Sequence, residues 1–359
     1  MLTFSQYTQA ARPARDWEFQ AQSYEKFFPP QNISRNFANF ALKHMKGTVI
    51  KNTGSLYSVR PDGSDGELTC RIKGNFRIKG IRTTNPVAVG DRVEFGTPGT
   101  DGIALISAIE SRRNYIVRRA SNLSKSVSII AANIDAAMLV VTLMHPETST
   151  TFIDRFLASA EAYAVPAILV FNKTDLLEGD PDAMELLEAV RYLYDSIGYR
   201  TVAVSAKTGL GLDELRAVLR GKVTLLSGNS GVGKSSLINA LIPGLDLRTG
   251  AISEAHDSGM HTTTFSEMFD LPGGGAIIDT PGVRGFGTVE FNREEVGHFF
   301  PEIFRESANC HFGNCTHTHE PGCAVLRALE ENRIAQSRYS SYMSILEEAT
   351  EEAKYRKPQ

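Results

Sequence analysis

One eight-residue segment constrains this chain more than any other. Gly228-Asn229-Ser230-Gly231-Val232-Gly233-Lys234-Ser235 fits G-x-x-x-x-G-K-[ST]; it follows the apolar run Val223–Ser227 and opens the helix-patterned stretch Lys234–Leu241. Strand, glycine loop and helix in that order cradle phosphate, because glycines let the backbone curl until successive N–H groups point at phosphate oxygens. Lys234 then neutralises the β- and γ-phosphates, and the Ser235 hydroxyl can ligate Mg²⁺. The segment predicts a nucleoside triphosphate site that runs on to Ser236.

From about Asn133 the chain alternates strand and helix patterns: Ala136–Met144, Phe152–Ala164, Pro166–Asn172, Asp182–Ile197, Thr201–Ser205, Leu212–Leu219 and Ala276–Asp279. Such repetition predicts a parallel sheet with helices on both faces. Three more motifs each follow a predicted strand. In Asn172-Lys173-Thr174-Asp175, the Asp175 carboxylate can accept both the ring N–H and the exocyclic amine of guanine, which adenine does not supply together. Asn172 can tie neighbouring loops, and the Lys173 stem can cover the base. Ser205-Ala206-Lys207 would offer the Ala206 N–H to the guanine carbonyl. Asp279-Thr280-Pro281-Gly282 would bring Asp279 to Mg²⁺ through water and the Gly282 N–H to the γ-phosphate. Together these motifs predict a guanine nucleotide. Their order is unusual, since the base-reading motif precedes the phosphate loop. That order fits a chain whose original termini were joined and reopened elsewhere.

Ahead of this region, Thr48–Lys51, Leu56–Arg60, Glu67–Ile72, Asp91–Phe95 and Gly102–Ile109 read as five short strands separated by turns. They suggest a small β-barrel, of OB or SH3-like type. Net charge is −3 overall, yet residues 45–120 hold 13 Lys/Arg against 7 Asp/Glu. Arg71, Lys73, Arg77, Lys79 and Arg82 surround a turn with Phe76 available for stacking, a composition suited to following an RNA backbone. Residues 1–44 show no sustained period, which predicts an extended or disordered arm; Met45 before the first strand suggests an extension or a mis-assigned start. With 42% hydrophobic and 22% charged residues the chain is an ordinary globular one. Its apolar runs fall short of the ~18 residues of a membrane span, and no secretory signal is visible, so a cytoplasmic protein is expected.

Cys310-x₄-Cys315-x-His317-x₅-Cys323 gathers three thiolates and an imidazole within 14 residues. That donor set satisfies tetrahedral Zn²⁺ with no open position, the signature of a structural site, with His311 and His319 as alternative ligands. Cys70 reads as a small buried hydrophobe. The tail Arg333–Arg356 reads as a polar helix, solvated or docked on a partner.

The permuted motif order, Gly259-Met260-His261-Thr262-Thr263-Thr264, Asp279–Gly287, the cysteine cluster and the N-terminal barrel resemble the RsgA (YjeQ/YloQ) family, the small-ribosomal-subunit-dependent GTPases. The resemblance covers about residues 46–335. It implies a multidomain α/β protein: an extension (1–44), an OB-like RNA-binding barrel (45–115), a circularly permuted P-loop GTPase domain (116–290) and a zinc-binding helical module (291–359). It selects His317 as the fourth zinc ligand and makes one of Thr262 and Thr263, with Thr263 favoured, the switch residue that closes on Mg²⁺ and the γ-phosphate. Val283 follows Gly282 and cannot hydrogen-bond water, so either another group positions the attacking water, with His261 the candidate, or intrinsic hydrolysis is slow. The implied activity is hydrolysis of GTP to GDP and phosphate by a monomer on the small subunit and its rRNA, late in that subunit's maturation. The implied cofactors are structural Zn²⁺ and Mg²⁺ with GTP.

Overall fold

The computed structural model describes residues 45–72, 86–119, 127–247, 266–280 and 291–355. Strands β1 (Met45–Asn52), β2 (Tyr57–Pro61), β3 (Leu68–Ile72), β4 (Arg92–Phe95) and β5 (Ala104–Ile109) close in the order β1-β2-β3-β5-β4-β1. The result is a five-stranded barrel, its inward positions filled by Val49, Tyr57, Val59, Cys70, Val93, Phe95 and Ile106. Cys70 is fully buried, as a small hydrophobe would be. Next comes an antiparallel hairpin that sequence patterning does not show, β6 (Tyr115–Arg119) with β7 (Val127–Ala132).

The central sheet is the predicted parallel one. Strands β8 (Ala136–Val141), β9 (Ala167–Phe171), β10 (Arg200–Ala203), β11 (Val223–Ser227) and β13 (Ala276–Asp279) lie in the order β10-β9-β8-β11-β13. Every residue of β8 is buried, as both faces of such a sheet require. Helices α1 (Thr150–Ala162) and α2 (Pro181–Ile197) cover one face through Ile153, Phe156, Leu187 and Tyr194. Helices α3 (Leu212–Leu219) and α4 (Lys234–Leu241) cover the other through Leu215, Leu237 and Ile238. The expected strand Ala136–Met144 ends at Val141, because Thr142 turns the chain and its carbonyl accepts from the Thr148 N–H at 2.9 Å.

Strand β12 (Ser266–Asp270) is an addition that the sequence does not announce. It runs antiparallel to β13 and antiparallel to β1, so one continuous sheet passes from the GTPase-like core into the barrel.

Helices α5 (Pro301–Ser307), α6 (Ala324–Glu330) and α7 (Gln336–Tyr355) complete the chain. The expectation of a solvated or partner-docked tail is corrected here. Helix α7 buries Tyr342, Ile345, Leu346 and Ala349 in the C-terminal core, against Phe300, Val325 and Ala158 of α1. Arg338 is also fully buried, donating to Glu302 Oε1 at 2.6 Å and to Asp154 Oδ1 at 2.8 Å. A polar composition misleads because one charge of this helix, Arg338, is buried between two acids while Glu347 and Glu348 stay in water. Among the described residues no helix is long and apolar enough to cross a membrane.

Candidate nucleotide site and metal centre

The phosphate loop joins β11 to α4 at the carboxyl end of the parallel strands, where open α/β sheets place ligands. Two of its glycines have a steric reason. A Cβ at Gly228 would lie 2.5 Å from the Val140 carbonyl, and one at Gly233, where φ is +90°, would lie 2.5 Å from Asn172 Nδ2. Lys234 Nζ donates to the carbonyls of Gly228 and Asn229, each at 2.8 Å, so the lysine arches back over its own loop. Burial pushes its pKa down, against the pull of Asp279. Burial likewise raises the Asp279 pKa, and Lys234 opposes that rise. Each charge thus partly offsets the cost of burying the other. A hydroxyl at Ser235 and a carboxylate at Asp279 are hard oxygen donors of the kind Mg²⁺ takes, and they fit that ion.

The base-reading loops meet the phosphate loop through one side chain. Asn172, at the end of β9, donates from Nδ2 to the Val232 carbonyl at 2.8 Å and accepts from the Ala206 N–H at 3.1 Å. Asp175 is held by the Ser205 hydroxyl at 2.6 Å, and that hydroxyl accepts from the Thr208 N–H at 3.1 Å. Lys207 Nζ stands 3.7 Å from the other Asp175 oxygen. Lys173 sits at φ +63° and its ammonium donates to the His145 carbonyl. That contact brings in the loop after β8, whose Pro146 ring packs beside Gly231 and which carries no motif in the sequence. Asn172, Lys173, Asp175, Ser205, Ala206, Lys207 and the 228–236 loop therefore converge on one corner. His261, Thr263 and Gly282 lie outside the described residues, as does Val283.

The second cluster is at the C-terminal module. The Sγ atoms of Cys310, Cys315 and Cys323 and a ring nitrogen of His317 all lie within 4.8 Å of one another. Cys310 Sγ is 3.9 Å from Cys323 Sγ, and His317 Nδ1 is 3.6 Å and 3.5 Å from these two sulfurs. Tetrahedral zinc, with Zn–S near 2.3 Å and Zn–N near 2.05 Å, gives edges of about 3.8 Å and about 3.5 Å. The residues fit zinc. Burial lowers the His317 pKa, which favours the neutral imidazole that ligates metal. Glu320 organises the loop, accepting from the N–H groups of Thr316, Thr318 and His319. From α7, the Tyr339 and Tyr342 hydroxyls donate to the carbonyls of His317 and Thr316 at 2.7 and 2.8 Å. These supports leave no sequence signature. His311 and His319 stand outside the converging group.

Of the predicted RNA-binding residues, Arg71 is on β3, half-exposed and 3.5 Å from Asp101. Lys73, Arg77, Lys79 and Arg82 lie outside the described residues.

Comparison with known proteins agrees with this geometry. Family models described as the RsgA N-terminal domain and the RsgA GTPase match residues 46–104 and 109–289. A small ribosomal subunit biogenesis GTPase RsgA of Bacteroides fragilis is 62% identical over 313 residues, 87% of this chain and 99% of that one. The chain belongs to the RsgA family. A second RsgA, from Christiangramia forsetii, is 51% identical over 320 residues, 87% of this chain and 98% of its own. Among solved RsgA-type structures, YjeQ from Thermotoga maritima matches with a TM-score of 0.69 and 34% identity, covering 88% of this chain and 100% of its own. YloQ, described as a circularly permuted GTPase, matches with a TM-score of 0.65 and 30% identity over 88% of this chain and 97% of its own.

Proposed function

We propose that this chain is a GTP hydrolase that binds the small ribosomal subunit and acts late in its maturation, with hydrolysis stimulated by the subunit. The observation that carries the reading is Asn172, which ties the guanine-reading loops to the Val232 carbonyl of the phosphate loop. Base recognition and phosphate binding are thus built on one side chain. Asp175, fixed by Ser205, accepts two hydrogen bonds from guanine, and the Ala206 N–H meets its carbonyl. Loop N–H groups and Lys234 offset the charge that develops as water attacks the γ-phosphorus in line and GDP leaves. Ser235, Thr263 and Asp279 would hold Mg²⁺, which would supply charge neutralisation for the phosphates. His261 would orient the water, since Val283 cannot. The zinc module and the basic barrel, with Arg71, Lys73, Arg77, Lys79 and Arg82, would grip the subunit. Domain limits near residues 45, 116 and 291 go with this reading, as does a monomer in the cytoplasm.

The test is turnover of GTP by the purified full chain, with and without small subunits, with large subunits and ATP as controls. Slow basal hydrolysis raised selectively by small subunits is expected. Equal stimulation by large subunits, or tight GTP binding without stimulation, would reject it. Asp175→Asn should weaken GTP binding at least about a hundredfold, since two charge-assisted hydrogen bonds are lost, and should shift preference toward xanthosine triphosphate.

A further inference from the structure

Strand β12 puts the barrel and the nucleotide site in one row of side chains. In the β1–β12 ladder Lys51 is opposite Glu267; in the β12–β13 ladder Glu267 is opposite Asp279. Directly opposed residues share a face of the sheet, so the row reads Lys51, Glu267, Asp279, with Lys234 beyond the last. Lys51 Nζ pairs with Glu267 Oε1 at 2.9 Å, both side chains being 37% exposed. The barrel also holds the far end of β12, where Arg60 forms two bonds to Asp270, at 2.6 and 3.0 Å.

The arrangement contains an unfavourable element. Two carboxylates directly opposite each other on neighbouring strands repel, so the ion pair with Lys51 holds Glu267 in a place where it also faces a second acid. What the acid does is raise the negative potential at Asp279, where a cation is to be held. Lys51 counters it from the barrel side.

We propose that Glu267 is a positioning residue that strengthens the hold on Mg²⁺ at Asp279, and that Lys51 is the barrel's means of tuning it. A barrel ligand with phosphates that competes with Glu267 for the Lys51 ammonium leaves Glu267 more negative and the cation tighter. The proposal rests on the assignment of Asp279 to the magnesium side of the site.

Equilibrium binding of a fluorescent GTP analogue to the full chain, titrated with Mg²⁺ at about 0.1 M salt, gives the half-saturating Mg²⁺ concentration. Glu267→Gln should raise it about three- to tenfold. Lys51→Met should move it the opposite way, lowering it about two- to threefold. With Glu267→Gln in place, adding Lys51→Met should lower it by less than it does alone, because Lys51 then acts only through its own more distant charge and no longer by holding the Glu267 carboxylate. A merely structural ion pair would make both single variants shift the unfolding midpoint together and leave the half-saturating concentration alone; that result overturns the proposal. So does a rise with Lys51→Met. Asp279→Asn separates the two readings. If it keeps the wild-type Mg²⁺ dependence, the magnesium assignment is wrong; if it loses that dependence while Glu267→Gln is silent, only the proposal fails.

Discussion

At its β12 edge the central sheet meets the barrel through a short ladder and two ion pairs open to water; at its α1 face it meets the zinc module through Arg338, 1% exposed and paired with Asp154 and Glu302. The Arg338 guanidinium also lies 4.7 Å from the centre of the Phe300 ring, and Tyr194 donates to the same Asp154 oxygen at 2.8 Å. Exposed pairs are screened, cost little to break and re-form readily. A buried pair is different, since losing one member strands the others without solvent. The barrel junction is therefore suited to carrying a signal and the zinc junction to holding a shape.

That contrast can be broken by experiment. Stripping zinc with a chelator, or Cys323→Ser, should have the largest effect, because the metal is part of the module's folding free energy. Hydrogen exchange should rise in residues 310–323 and in α7, whose tyrosines bond the ligand loop, while β1 to β5 stay protected. Protection retained along α7 would mean that Arg338 holds that helix without the metal.

Arg338→Ala comes next. It leaves Asp154 and Glu302 buried and unpaired, and should cost about 3–5 kcal/mol in urea unfolding of the zinc-loaded chain. A cost under ~1 kcal/mol would place this junction in the same class as the other. The smallest effect belongs to Arg60→Ala, expected within ~1 kcal/mol and shrinking further as salt is raised. A loss comparable to that of Arg338→Ala would show that the barrel junction is structural after all.

The parts of the molecule that could be read in advance share one property: their residues are close together in sequence. The phosphate loop, Asn172–Asp175, Ser205–Lys207 and the cysteine cluster each fall within a few turns of chain, and their spacing carries chemistry. The strands of the barrel and sheet were legible because their apolar runs are bounded by turn residues. Strand β12, Ser-Glu-Met-Phe-Asp, buries only Met268 and has no such run, so nothing local marks it. Its role comes from a pairing between Lys51 and Glu267, which no window of sequence contains. Arg338 hides for the same reason: its partners are 36 and 184 residues away, and a charged residue in a polar helix reads as solvated until they are seen.

The β1–β12 ladder also sets an order of events at the ribosome that makes this protein. Lys51 and Glu267 are 216 residues apart, which at ~5–20 residues per second is about 10–40 s of synthesis. The barrel's strands all lie within residues 45–109, so it can close early, while the last two residues of β1 wait with an unpaired edge for β12 to emerge. The phosphate loop and Asp279 come later than the base-reading loops. A nascent chain thus has a module suited to RNA well before it has anything that can hold a nucleotide.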